Sequence, residues 1–257
     1  MDLMNKTIVV TGGAQGLGLA MATMAAQHGA QLALIDMDSA LLDEAVAQLK
    51  AENINKDAKV RGYVANVSVE QEVESTFAAI AEEFGSIHGL INNAGILRDG
   101  LFIKAKEGKV IDKMSLSQFQ SVIDVNLTGV FLCGREAAVH MVEGGEGGVI
   151  INMSSVARAG NMGQTNYSAA KSGVVAMTTS WAKELGRFGI RVGAIAPGVI
   201  RTKMTDAMKP EAKERLVQMK PVGRLGEAEE IAHTAKYIFE NDFFTGRVVE
   251  IDGGIRL

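Results

Sequence analysis

Seven short apolar runs punctuate this chain: Thr7 to Val10, Leu32 to Ile35, Val60 to Val64, Gly89 to Ile91, Val149 to Asn152, Arg191 to Ala196 and Arg247 to Ile251. Between them, Leu17 to His28, Ser39 to Ala51, Val69 to Phe84, Ser117 to Glu143, Asn166 to Phe188 and Glu227 to Glu240 carry apolar residues near the 3.6-residue helical period. Strands apolar on both faces need a layer on each side. The alternation therefore predicts an α/β fold: a Rossmann-type, doubly wound parallel sheet of about seven strands with helices on both faces and right-handed crossovers. A chain of 257 residues, 47% of them hydrophobic, fits this pattern into one domain, 1–257. Ligands of such sheets bind beyond the carboxyl ends of the strands.

The first run passes into Thr11-Gly12-Gly13-Ala14-Gln15-Gly16-Leu17-Gly18. A glycine turn opening a helix can aim backbone N–H groups at a pyrophosphate, although a glycine cluster alone is often only a tight turn. After the second strand, Asp36 stands about 20 residues beyond that loop, where a carboxylate can accept both hydroxyls of an adenosine ribose. A 2′-phosphate would meet its charge instead. Capping of the next helix falls more naturally to Asp38 or Ser39. Far downstream, Tyr167 and Lys171 are four residues apart and share one helix face, where they can act as an acid/base unit.

With Asn92-Asn93-Ala94-Gly95, Asn126 and Ser154-Ser155 in the same order, the pattern resembles the short-chain dehydrogenase/reductase family over nearly the whole chain. The resemblance implies a nicotinamide cofactor held by Gly12, Gln15, Gly16, Leu17 and Gly18. Asn66 and Val67 would flank the adenine, the Asn66 amide accepting from its amino group, and Asn93-Ala94-Gly95 would lie along the ribose. Pro197, Gly198, Ile200 and Thr202 would face the carboxamide and pyrophosphate, or form an ordinary turn. NADP-preferring relatives carry a basic residue where Gln15 and Met37 stand here, so NAD is expected. Tyr167 would move the hydroxyl proton, and Lys171 would lower its pKa and hold the nicotinamide ribose. Asn126 would bind a relay water, or merely bond to backbone. The catalytic serine is Ser155 by strand register and Ser154 by the common spacing of 13 residues before the tyrosine; the register favours Ser155.

Two stretches interrupt the rhythm. Leu97 to Met114 reads as an extended loop with Lys104, Lys106, Lys109 and Lys113, able to meet coenzyme A phosphates or the acidic face of an acyl-carrier protein. Val199 to Gly226, with Met204, Met208, Met219, Pro210 and Pro221, reads as short helices forming a substrate lid, with core packing the alternative. The first stretch and the ending Glu240 to Leu257 resemble short-chain 3-hydroxyacyl-CoA dehydrogenases, and Gly160 to Tyr167 resembles 3-oxoacyl-carrier-protein reductases. The substrate expected is thus a 3-oxo or 3-hydroxy acyl thioester. A steroid, sugar or small-ketone dehydrogenase is the alternative, and an NAD sensor without catalysis is disfavoured by the intact Asn, Ser, Tyr and Lys.

The net charge of −4, with no basic stripe, argues against nucleic acid as a partner. His28, His88, His140 and His233 lack ligand-type spacing, so no metal is expected. Cys133, alone, reads as a small core residue, which suits a reducing, cytoplasmic compartment. No apolar run nears the roughly 20 residues that span a bilayer, and Asp2 leads straight into the first strand, leaving no room for a signal peptide. The family resemblance implies a homotetramer. Apolar helices near Gly129 to Met141 and Val174 to Leu185 offer faces for it, or are buried within one subunit.

Overall fold

The computed structural model describes residues 1–202, 205 and 210–255, without the side chains of 210–213. Met204 and Met208 of the expected lid, and Arg256 and Leu257 of the C-terminal motif, lie outside the described residues. The seven expected strands form one parallel sheet: β1 (Thr7–Thr11), β2 (Gln31–Asp36), β3 (Val60–Val64), β4 (Gly89–Asn92), β7 (Gly148–Met153), β8 (Ile190–Pro197) and β9 (Val248–Ile251), in the order β3-β2-β1-β4-β7-β8-β9. The helices are α1 (Gly16–Ala26), α2 (Ser39–Glu52), α3 (Glu70–Phe84), α4 (Leu116–Ile123), α5 (Gly129–Gly144), α6 (Thr165–Leu185), α7 (Pro210–Gln218) and α8 (Ala228–Glu240).

The strands are apolar on both faces because both are covered. Ile8, Val10, Leu32 and Leu34 face a core built with α1, α2 and α8, whereas Val9, Ala33 and Ile35 face a second core built with α3, α5 and α6. Successive strand residues point to opposite faces, so each strand supplies both cores. Strand order reverses between β1 and β4, and a crevice opens beyond their carboxyl ends.

Two expectations change. Leu97 to Met114 is not simply a loop: β5 (Ile103–Lys106) and β6 (Lys109–Lys113) form an antiparallel hairpin apart from the main sheet. Glu107 (φ 52°) and Gly108 (φ 76°) make its turn, a conformation that matches the twist of a two-residue hairpin. Ser117 to Glu143 is not one regular helix either. A π-helical turn, Asp124–Thr128, joins α4 to α5, and such insertions occur frequently at functional sites. Among the described residues no helix is long and apolar enough to cross a membrane.

Candidate active site

The crevice, about 460 Å³, is lined by Gly12, Gln15, Gly16 and Leu17 from the first loop, Asp36 and Met37 after β2, Asn66 and Val67 after β3, Asn93 to Ile96 after β4, and Thr202. Gly16 has φ +57° with open space beside it, and Gln15 makes no side-chain capping bond to α1, so the first-turn N–H groups face the crevice ready for an anion. Gly18 lies behind the lining, where a Cβ would collide with the Gly12 carbonyl oxygen. Its role is close packing of helix on loop.

Struts hold the loop. Thr11 Oγ1 accepts from the N–H groups of Asn93 (3.0 Å) and Ala94 (3.1 Å). Asn93 Nδ2 donates to the Thr11 and Gly12 carbonyls at 3.2 and 3.0 Å. Asp36 accepts from Ala14 N through Oδ2 (3.2 Å) and from Met37 N through Oδ1 (2.8 Å), which aims the carboxylate while leaving acceptor capacity on Oδ2. The cap of α2 is Asp38, whose carboxylate accepts from Leu41 N. Among the described residues lining the crevice, Asp36 alone is charged.

Five expected residues, Asn66, Asn126, Pro197, Gly198 and Ile200, have surroundings that the sequence alone did not specify. Asn66 Oδ1 already accepts from Ser68 N (3.0 Å) and Ser68 Oγ (2.8 Å), so both its lone pairs are used and the expected acceptor for the adenine amino group is spoken for; Nδ2 remains as a donor. The Asn126 side chain is fully buried and clamps Ile96, accepting from its N–H (2.8 Å) and donating to its carbonyl (2.9 Å). Of the two readings of Asn126, the geometry is that of a backbone clamp. The Ile200 side chain is buried in the core, Pro197 ends β8, and Gly198 packs against Asp252.

Beyond β7 the acid/base group assembles. Ser155 lies beside the Tyr167 phenol and interacts with it, and its Oγ accepts from Ala157 N. Ser154 points the other way, buried, with its Oγ donating to the Lys171 carbonyl at 3.0 Å. The alternation at the strand end thus brings Ser155, not Ser154, to the tyrosine. Burial pushes the Tyr167 phenol upward, the neighbouring Ser155 hydroxyl pulls it partly back, and the Asp99 charge adds a smaller upward push. Lys171, 3% exposed, donates from Nζ to the Met153 carbonyl at 2.7 Å and stands 5.6 Å from the Tyr167 ring centre. Burial alone brings its pKa down to about 8.

Sequence reasoning passed over Asn166. It is fully buried; its amide donates to the Arg98 (3.0 Å) and Gln118 (3.1 Å) carbonyls and accepts from Tyr167 N (2.8 Å). This one side chain ties the start of α6 to α4 and to the root of the hairpin. Behind the site, Asn92 donates to Asn152, which donates to Thr178, a buried polar chain linking β4, β7 and α6.

An anion-ready helix start and a ribose-directed carboxylate at the crevice, with a Ser–Tyr–Lys group beyond the end of β7, are the parts of a nicotinamide-dependent oxidoreductase. Residues 12–256 match the family described as enoyl-(acyl carrier protein) reductase. The chain is 38% identical to the 3-oxoacyl-[acyl-carrier-protein] reductase FabG of Thermotoga maritima over 99% of both chains. It is 36% identical to (2S)-[(R)-hydroxy(phenyl)methyl]succinyl-CoA dehydrogenase subunit BbsD of Thauera aromatica, covering 99% of this chain and 98% of that one. The crystal structure of levodione reductase superposes with a TM-score of 0.87 at 38% identity, covering 97% of each chain. The chain belongs to the short-chain dehydrogenase/reductase family.

Proposed function

We propose that the protein interconverts a 3-oxoacyl and a 3-hydroxyacyl thioester with NAD(H), and that reduction is its working direction. The observation carrying this reading is the grouping of Ser155 and the buried Lys171 about Tyr167. The nicotinamide, when bound, supplies or takes the hydride. Ser155 then holds the substrate oxygen and steadies its developing charge. Tyr167, kept protonated by burial, gives that oxygen its proton, and the Lys171 ammonium stabilises the phenolate left behind. Asn126 contributes by position, clamping Ile96 beside the crevice.

The residues present fit the cofactor: the uncapped start of α1 for the pyrophosphate, Asp36 Oδ2 for the ribose, and Asn66 Nδ2 donating to an adenine ring nitrogen. Asp36, with no basic neighbour among the described residues of the crevice, supports NAD over NADP. Two like charges about 4 Å apart repel by about 1 kcal/mol in water and about 4 at an effective dielectric near 20. Selectivity for NADH should therefore lie between several-fold and roughly a thousandfold in kcat/KM.

The thioester is favoured by relatives whose names specify acyl-carrier-protein and CoA substrates; the likeness to levodione reductase favours a small ketone as the second reading. Following NADH and NADPH oxidation against 3-oxoacyl thioesters and small ketones separates them. Turnover of thioesters with NADH is the expected result, and equal kcat/KM for the two nucleotides would remove the NAD assignment.

The groove between α5 and α6, about 490 Å³ and lined by Phe131, Val139, Trp181 and Phe188 among others, fits a second copy of the chain in the expected homotetramer. A monomeric mass by light scattering would contradict that assembly.

A further inference from the structure

The β5–β6 hairpin is rooted on the segment that precedes Tyr167. Gly100 N donates to the Gly163 carbonyl (2.8 Å), Gln164 Nε2 to Asp99 (2.9 Å) and Asn166 Nδ2 to the Arg98 carbonyl (3.0 Å). From that root both strands project with every residue exposed. A bulge between Lys104 and Ala105 in the pairing places Ala105 opposite Val110 on one face, and Lys106 opposite Lys109 on the other, together with Lys104 and Asp112. With Ile103 and Lys113 beside Ala105 and Val110, the ribbon is amphipathic, though none of the described residues covers it. Phe102 is 67% exposed and Val110 63%, and on adjoining segments Leu116 and Met162 are 78% and 88% exposed. Four lysines against Glu107 and Asp112 give the hairpin a net charge of +2 in a chain whose net charge is −4.

We propose that this hairpin is a docking arm for an acidic protein that carries the acyl thioester to Tyr167, an inference that rests on the thioester reading above. Charge complementarity selects an acidic partner for a basic projection on an acidic protein. The apolar side chains select a protein surface over a free nucleotide. An adenine needs a concave apolar seat, whereas a ribbon exposed on both faces offers none; apolar contacts among charged ones are the anatomy of a protein interface. The root bonds bring the docked partner to the mouth of the site.

The test replaces Lys104, Lys106 and Lys109 together by glutamate and offers one 3-oxoacyl group on three carriers: an acidic acyl-carrier protein, coenzyme A and N-acetylcysteamine. Exposed charge contacts are individually weak, so three reversals should raise KM for the carrier-protein thioester roughly fivefold to thirtyfold at low salt. In about 1 M salt, where the screening length is about 3 Å, the difference should fade. Turnover and KM with N-acetylcysteamine should stay within about twofold of wild type, reporting an intact site, since exposed charges act at contact range. Calorimetry with the unacylated carrier protein should show the same weakening in binding.

An unchanged KM and binding for the carrier protein overturns the proposal. So does an equal rise with the CoA thioester, which would make the lysines readers of phosphate, or an equal rise with all three, which would mean general damage. Wild-type enzyme that binds the carrier protein through these lysines yet reduces none of the thioesters would uphold the arm and refute the thioester chemistry.

Discussion

The two ends of the sheet treat their polar groups in opposite ways. At the amino end, His88 Nδ1 accepts from Thr7 N (3.1 Å), its Nε2 meets Glu146 (3.0 Å), and Glu146 also pairs with Lys6 (3.1 Å). Arg191, at the start of β8, donates to the carbonyls of Ile238, Phe239 and Phe244 and pairs with Asp242. At the carboxyl end the buried Lys171 ammonium has only the neutral Met153 carbonyl, no carboxylate faces it among the described residues, and α1 begins without a side-chain cap. The same sheet thus pairs its charged groups at one end, where only the Thr7 hydroxyl is buried without a partner among the atoms described there, and leaves a buried charge unpaired at the other. Stability is built at the first, and the second holds groups that only a ligand completes.

The sharpest way to break this contrast is Tyr167→Phe. Steady-state kinetics should show kcat lower by roughly 10² to 10⁴, the usual worth of a positioned acid, with NADH affinity by fluorescence unchanged. Turnover near wild type would remove Tyr167 from the chemistry. The two serines divide the carboxyl end further. Ser155→Ala should lose about 10²- to 10³-fold in kcat as a lost donor to the developing charge. Ser154→Ala should keep most of its turnover and instead lose about 1 kcal/mol of stability in urea unfolding, the worth of one buried hydrogen bond; the reverse order would mean that spacing, not strand register, places the hydroxyl.

At the amino end the effect should be on stability alone. His88→Ala strands the buried Thr7 N–H and should cost about 1–3 kcal/mol with kcat unchanged. Burial holds His88 below its ordinary value near 6.5 despite Glu146. The stability this contributes is present above pH 6.5 and is lost as pH falls through the lower folded value. Wild type should therefore lose more stability than His88→Ala between pH 7 and 5, and parallel curves would contradict it.

The strands were legible because parallel strands buried on both faces read as continuous apolar runs, and the opposite placement of Ser154 and Ser155 because a strand end fixes where each side chain points. The hairpin was not, because its residues are exposed and a bulge breaks its alternation; the Glu107-Gly108 pair was its only local signal. The π-turn leaves no mark in a 3.6-residue pattern. Asn66, Asn126 and Asn166 show a different limit. An amide in a sequence declares what it can bond, while the partners it chooses, Ser68, Ile96, or Arg98 and Gln118, depend on segments brought up by the fold.

Lys171→Met tests the contrast most directly. Burial lowers this lysine from 10.5 to about 8. Its folded value lies below the unfolded one, so the destabilisation is complete below about pH 8 and vanishes above 10.5. That shift corresponds to about 3 kcal/mol at neutral pH, against about 1 kcal/mol for the bond lost to the Met153 carbonyl. A methionine of similar length should therefore raise unfolding free energy at pH 7 by roughly 1–3 kcal/mol, while kcat falls by about 10² or more as the phenolate loses its ammonium. A variant less stable than wild type, or one that keeps its turnover, would contradict the account.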